Sequence, residues 1–209
     1  MSKRLVLFSQ PSPTVFEKLK TILFPEYLTD RVFAYMPSDG SADEANAKYN
    51  PIWQEFATSN NAQFVFINNS KRGKESEIEK QKAMSANILI ISGGNTFTLL
   101  NHLKLSGLGD TIKEFWQKDN IVLSGFSAGA IVLTPKIDIA SQPSGLNPED
   151  MSDENLVGIT DLTGLNIIDF EIWPHYYEEF DKNTLEKYQS TSPNKIKTVG
   201  DEEVIVIDQ

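Results

Sequence analysis

Cysteine is absent from the 209 residues, which removes thiolate nucleophiles, thiolate metal sites and any disulfide framework together. Histidine is scarce: His102 and His175 are the only two imidazoles, too few for a His-rich zinc site. Any histidine-dependent chemistry therefore has two candidates. Long apolar runs are missing as well, and nothing approaches the ~20 residues that span a bilayer. The stretch Met1-Ser2-Lys3-Arg4-Leu5-Val6-Leu7-Phe8 turns polar at Ser9 and Gln10, short of the roughly 7–15 apolar residues of a secretion signal. The expected address is the cytoplasm. Basic residues are in the minority, with 19 Lys+Arg against 29 Asp+Glu and a formal charge of −10. Such a surface repels nucleic acid and anionic lipid, so neither is expected as a partner.

The composition that remains, 40% hydrophobic and 23% charged, is that of a globular protein. The length fits one domain over residues 1–209, large enough for a core and a recessed site. Short apolar runs alternate with amphipathic stretches. Leu5–Phe8, Val32–Met36, Phe64–Ile67, Asn87–Ile91 and Ile121–Leu123 read as strands, the last two apolar enough to be covered on both faces. Between them, Val15 to Leu23, Ile52 to Phe56, the polar Lys71–Met84 and the segment through Leu99 and Leu103 read as helices. Thr111 and Glu114 stand at capping-box spacing before another helix. The pattern predicts an α/β fold, a mostly parallel sheet with helices on both faces. Ser141–Asn155 is the one long polar loop, of a length that is functional or disordered in compact domains.

Chemistry concentrates at three places. The strand at Ile121–Leu123 runs into Gly125-Phe126-Ser127-Ala128-Gly129 and a short helix stopped before Pro135. A G-x-S-x-G at a strand-to-helix turn lifts the serine hydroxyl out of the sheet, and the new helix aims free N–H groups at the place where an oxyanion develops. Ser92-Gly93-Gly94-Asn95-Thr96 is a second such turn. If its strand neighbours the first, Gly93 or Gly94 supplies one N–H and Ala128 the other of an oxyanion hole; the alternative is a tight or phosphate-binding turn with Asn95 as helix N-cap. Neither G-x-G-x-x-G nor a P-loop lysine accompanies it. The third place is Phe170-Glu171-Ile172-Trp173-Pro174-His175-Tyr176, a strand delivering His175 at its C-terminal end. Imidazole is suited to take the serine proton near neutral pH. His102, between Asn101 and Leu103, reads as helix surface.

Together, Gly93-Gly94-Asn95-Thr96-Phe97, Gly125-Phe126-Ser127-Ala128-Gly129-Ala130 and Pro174-His175-Tyr176 resemble the peptidase family that contains dipeptidase E and cyanophycinase, in order and context from about Leu5 to Val206. The resemblance implies a class I glutamine amidotransferase-like (flavodoxin-like) three-layer sandwich, with serine where those enzymes use cysteine. It implies a Ser127-His175-acid triad, an oxyanion hole from Gly94 and Ala128, and no metal or other cofactor. The family's acid lies between serine and histidine, which points to Glu154, with Asp150 and Asp153 as close competitors. Members resembling aspartyl-dipeptide cleavers carry an arginine after the histidine, whereas Tyr176–Ser190 has none. Lys182 and Lys187 are looser point charges, and Glu178, Glu179 and Asp181 make that rim acidic. Cleavage after aspartate is therefore not expected.

The expected function is hydrolysis of a small peptide or isopeptide by a serine peptidase of the dipeptidase E type. The alternatives are an esterase sharing the same elbow, and a silent binding module that keeps the turns without a working acid. Oligomeric state is not legible.

Overall fold

The computed structural model describes residues 2–40, 48–144 and 152–209. Its centre is a six-stranded sheet. β1 (Lys3–Phe8), β2 (Val32–Met36), β3 (Gln63–Phe66), β4 (Ile88–Ile91) and β5 (Ile121–Phe126) run parallel, and β8 (Val204–Asp208) is antiparallel at the edge beside β1. The order is β3-β2-β4-β5-β1-β8. Between β5 and β8 the chain forms a separate two-stranded parallel ladder, β6 (Phe170–Trp173) with β7 (Lys195–Thr198).

Side chains alternate across a strand with period two, and this chain fills both faces. Val6, Phe8, Phe33, Tyr35, Ile88, Ile90 and Val122 point one way and pack under α1 (Pro13–Ile22) and α2 (Asn50–Ser59), through Val15, Leu19, Trp53 and Phe56. Leu5, Leu7, Ala34, Met36, Leu89, Ile91 and Leu123 point the other way, with Ala83 of α3 (Lys74–Ser85), Leu99 and Leu103 of α4 (Thr96–Ser106), and Ile112 and Phe115 of α5 (Leu108–Trp116). The result is a three-layer α/β/α sandwich. Trp53 is wholly buried among Phe8, Phe16, Phe33, Phe56 and Phe126, and each such side chain contributes on the order of 2–3 kcal/mol by leaving water. Among the described residues no helix is long and apolar enough to cross a membrane.

Two expectations change, and one element falls outside the main sheet. α5 begins at Leu108 behind Gly107, which sits in the left-handed region at φ 75° and closes α4 as well. Thr111 is therefore inside the helix, its hydroxyl on the Gly107 carbonyl, and caps nothing. The helix after Ser127, α6, is only Ala128–Ile131. Finally, β6 stands outside the main sheet and is held to it through Ser9, at the end of β1. The Ser9 hydroxyl donates to the Val199 carbonyl at 2.8 Å and accepts the His175 N–H at 2.9 Å. The last helix, α7 (Glu178–Gln189), follows β6.

Candidate active site

Ser127 lies between the end of β5 and the start of α6, with φ 49° and ψ −118°. Side chains other than glycine rarely adopt this conformation, at a cost of order 1–3 kcal/mol, and it persists only where the surroundings enforce it. Here the enforcement is visible. The Ser127 N–H is tied to the Phe8 carbonyl at 3.0 Å, and its own carbonyl accepts from Ala130 and Ile131. The flanking glycines are obligatory: a Cβ on Gly125 would stand 2.3 Å from the Gly129 carbonyl oxygen, and one on Gly129 would stand 2.1 Å from that of Ile91. The turn is thus folded tightly against β4 as well as β5.

His175 reaches this hydroxyl from β6, its Nε2 3.1 Å from Ser127 Oγ. On the other side of the ring, Nδ1 is 2.7 Å from Asp201 Oδ1. A carboxylate only accepts, so the proton between them sits on Nδ1, and Nε2 presents its lone pair to the serine hydroxyl. Both the histidine and the aspartate side chains are about one-fifth exposed or less. Asp201 follows β7, and the parallel register pairing Trp173 with Thr198 sets the two chain ends side by side: His175 two residues past one strand, Asp201 three past the other. The second carboxylate oxygen of Asp201 accepts the Tyr177 hydroxyl at 2.5 Å. That bond first, and then burial, raise the phenol above its ordinary pKa, so Tyr177 stays a donor.

The acid expected from the sequence is elsewhere. Glu154 is exposed, and its backbone carbonyl accepts from Asn95 Nδ2. The Asp153 carboxylate lies in the same cavity wall but is engaged by the Thr96 N–H at the start of α4. Asp150 lies outside the described residues. The structure therefore sets Asp201, rather than Glu154, against His175, with the order serine, histidine, acid along the chain. Tyr177, Ser9 and Asp201 were all missed. The available signal was the Gly200-Asp201 turn closing a short strand.

The glycine turn after β4 lies beside the serine, since Ile91 pairs with Gly125 and a Cβ on Gly93 would stand 3.0 Å from Ser127 Cβ. Gly94 has φ 142°, and a Cβ there would collide with the Ser38 hydroxyl. Neither the Gly94 N–H nor that of Ala128, the first residue of α6, donates to an acceptor among the described residues. Asn95 caps α4 as well, its side chain accepting from Thr98 N–H. His102 is half-buried rather than on the surface, with Nδ1 3.1 Å from Asn69 Oδ1, and burial lowers its pKa.

Ser127 and His175 open into a cavity of about 40 Å³, walled by Ile131, Ile139, Ser144, Asp153 and Trp173. Trp173 is held by its indole N–H, which donates to the Ser144 hydroxyl. Glu178 and Glu179 are exposed on the first turn of α7 and do not line it. Among the described residues, the acidic side chain that lines it is Asp153.

A doubly covered, mostly parallel sheet with a conformationally forced serine at a central strand-to-helix turn, in line with a histidine and a carboxylate, defines an α/β protein of the nucleophile-elbow class. Within that class, the model of peptidase family S51 matches residues 29–209, and the chain belongs to this family. It is 32% identical over 110 residues to an uncharacterised peptidase of Pasteurella multocida strain Pm70, covering 51% of this chain and 49% of that one. It is 33% identical over 97 residues to a peptidase E of Shewanella sp. strain ANA-3, covering 46% and 36% respectively. The chain thus spans about half the length, or less, of these relatives. Among solved structures, a protein of Listeria monocytogenes EGD-e provisionally named peptidase E superposes with a TM-score of 0.72 at 22% identity, over 100% of this chain and 98% of that one. A peptidase from an acI-B1 Actinobacterium gives 0.69 at 18% identity, over 99% and 84%. At these identities the structural likeness speaks for the fold.

Proposed function

We propose that the chain is a serine peptidase of the dipeptidase E type, with Ser127 as nucleophile, His175 as general base and acid, and Asp201 as the carboxylate that orients it. The observation that carries the reading is the unbroken line Asp201 to His175 to Ser127, at 2.7 and 3.1 Å, converging on a serine with positive φ. The family and the peptidase names of relatives support the same class.

In this reading the Ser127 oxygen bonds to the peptide carbonyl carbon as its proton passes to His175 Nε2. The N–H groups of Gly94 and Ala128 hold the oxyanion, an arrangement worth about 10²–10³ in rate per donor. The C–N bond then breaks, and His175 returns the proton to the departing amine. A water, deprotonated by the same nitrogen, cleaves the acyl-serine ester and frees the acid. Asp201 keeps the proton on Nδ1 and stabilises the imidazolium without accepting the proton itself. Small peptides are the proposed substrates and the cytoplasm the proposed address.

The test is turnover of a dipeptide panel by the unaltered chain and by Ser127→Ala. The reading expects free amino acids from the first and none above background from the second. Cleavage of esters alone would make the protein an esterase, and no cleavage by a folded sample would make it a binding module.

A further inference from the structure

Asp201 follows β7 in an acidic run, Asp201-Glu202-Glu203, and its side chain is 20% exposed. The turn that carries it is fastened through the backbone. The Gly200 N–H donates to Glu203 Oε2 at 2.8 Å, the Glu203 N–H to the Gly200 carbonyl at 3.1 Å, and Lys18 Nζ to the Glu202 carbonyl at 2.6 Å. None of these bonds fixes the Asp201 carboxylate itself, whose terminal torsion is intrinsically broad. Among the described residues no lysine or arginine is paired with it. Held by His175 alone, a partly exposed carboxylate would turn readily toward water.

Tyr177 supplies the second hold. Its hydroxyl donates to Asp201 Oδ2 at 2.5 Å, while Oδ1 stays 2.7 Å from His175 Nδ1. With both oxygens engaged, the plane of the carboxylate is set. Tyr177 is anchored in turn: its N–H donates to Oδ2 of the buried Asp181 at 2.6 Å, and its carbonyl accepts from Phe180 and Asp181 at the start of α7. The donor is also neutral. A lysine or arginine in its place would offset the negative charge that favours the imidazolium, whereas a phenol fixes the carboxylate and leaves that charge to His175. Tyr188 offers a comparison on the same ladder. Its hydroxyl donates to Glu171 Oε2 at 2.6 Å, and that buried carboxylate also accepts from Ser192 and Asn194, outside the line from Asp201 to Ser127.

We propose that Tyr177 is a positioning residue of the catalytic line: its hydroxyl orients Asp201 and, through Asp201, the tautomer and aim of His175. The kinetic test of this inference rests on the reading of Ser127, His175 and Asp201 as a peptidase triad; the spectroscopic test does not.

Steady-state kinetics on a dipeptide compares the unaltered chain with Tyr177→Phe, which removes one oxygen. We expect kcat lower by about 10-fold or more, the scale of one lost hydrogen bond to a charged group, with KM within about 2-fold. Tyr188→Phe should lower the urea midpoint and leave kcat within about 2-fold. Residues that act through one another are not additive. Tyr177→Phe added to Asp201→Asn should therefore cost no more than about 2-fold further, read as the rate of fluorophosphonate labelling. The second readout is the His175 Nδ1 proton, whose resonance moves far downfield when it is bonded to a carboxylate. It should be visible in the unaltered chain, lost in Asp201→Asn, and shifted or broadened in Tyr177→Phe. An unchanged kcat in Tyr177→Phe overturns the proposal, as does a loss of equal size with and without Asp201, or an unmoved Nδ1 resonance. Should Tyr177→Phe not fold, Tyr177→Leu carries the same tests. If no dipeptide is cleaved but the resonance responds to Tyr177→Phe, the peptidase reading fails and the role of Tyr177 stands. If both proteins cleave dipeptides equally, the role of Tyr177 fails and the peptidase reading stands.

Discussion

A single carboxylate decides how His175 works. With Asp201 on Nδ1 the imidazole presents a basic nitrogen to Ser127; with an amide in its place the ring is free to settle in the tautomer that cannot accept the serine proton. Asp201→Asn should therefore lower kcat by roughly 10⁴-fold with little change in KM, whereas Glu154→Gln, exposed and outside this line, should stay within about 2-fold. Steady-state kinetics on one dipeptide checks both, and a dominant loss at Glu154 would return the acid to the long loop. Ser127 and His175 stand out in the sequence because local chemistry marks them: glycines that permit a tight turn, and an imidazole at the end of an aromatic strand. Asp201 does not, because what brings it to His175 is a parallel pairing between β6 and β7 across 26 residues. Neither spacing nor composition encodes that pairing. A search restricted to carboxylates between serine and histidine could not meet it.

At the scale of elements, the two turns that build the site are set by close backbone approaches. Gly129→Ala forces a Cβ to 2.1 Å from the Ile91 carbonyl oxygen, where no flexible side chain can yield. We expect it to cost about 3 kcal/mol or more, toward the upper end for overpacking, read as a lowered urea midpoint. The edge of the sheet is fastened differently. Arg4 on β1 holds Asp208 on β8 with both carboxylate oxygens, at 2.6 and 3.0 Å, and depresses the Asp208 pKa. A carboxyl whose pKa falls on folding stabilises the fold above its unfolded value, near 3.9, and loses that contribution as the pH drops through the folded value. Asp208 is largely exposed, so Asp208→Asn should cost only about 0.5–1 kcal/mol at pH 7, and the gap in urea midpoint should shrink as the pH falls below about 4. Strands such as Val32–Met36 are legible because apolar and β-branched residues fill both sheet faces. The start of α5 is not: Gly107 in a left-handed conformation ends one helix and begins the next, overriding the capping pattern at Thr111 and Glu114.

The whole molecule shapes what can reach the serine. Its formal charge is −10, and among the described residues the carboxylate that lines the cavity is that of Asp153. At an effective dielectric of about 20, a like charge ~6 Å away costs roughly 3 kcal/mol before screening, a penalty that falls on an aspartate side chain in the substrate. Dipeptides beginning with aspartate should therefore show kcat/KM no higher than those beginning with alanine; a preference for aspartate above ~100-fold would mean that a cation outside the cavity lining reaches the substrate. All of this depends on one hydroxyl being activated by residues from four separate segments, at the ends of β4, β5, β6 and β7. The most direct measurement is to react the intact chain with a fluorophosphonate and locate the adduct by mass spectrometry, alongside His175→Ala. The account predicts a single adduct on Ser127 and a rate lower by orders of magnitude in the variant at unchanged melting temperature. Labelling at another serine, no labelling of folded protein, or an equal rate in His175→Ala would contradict it.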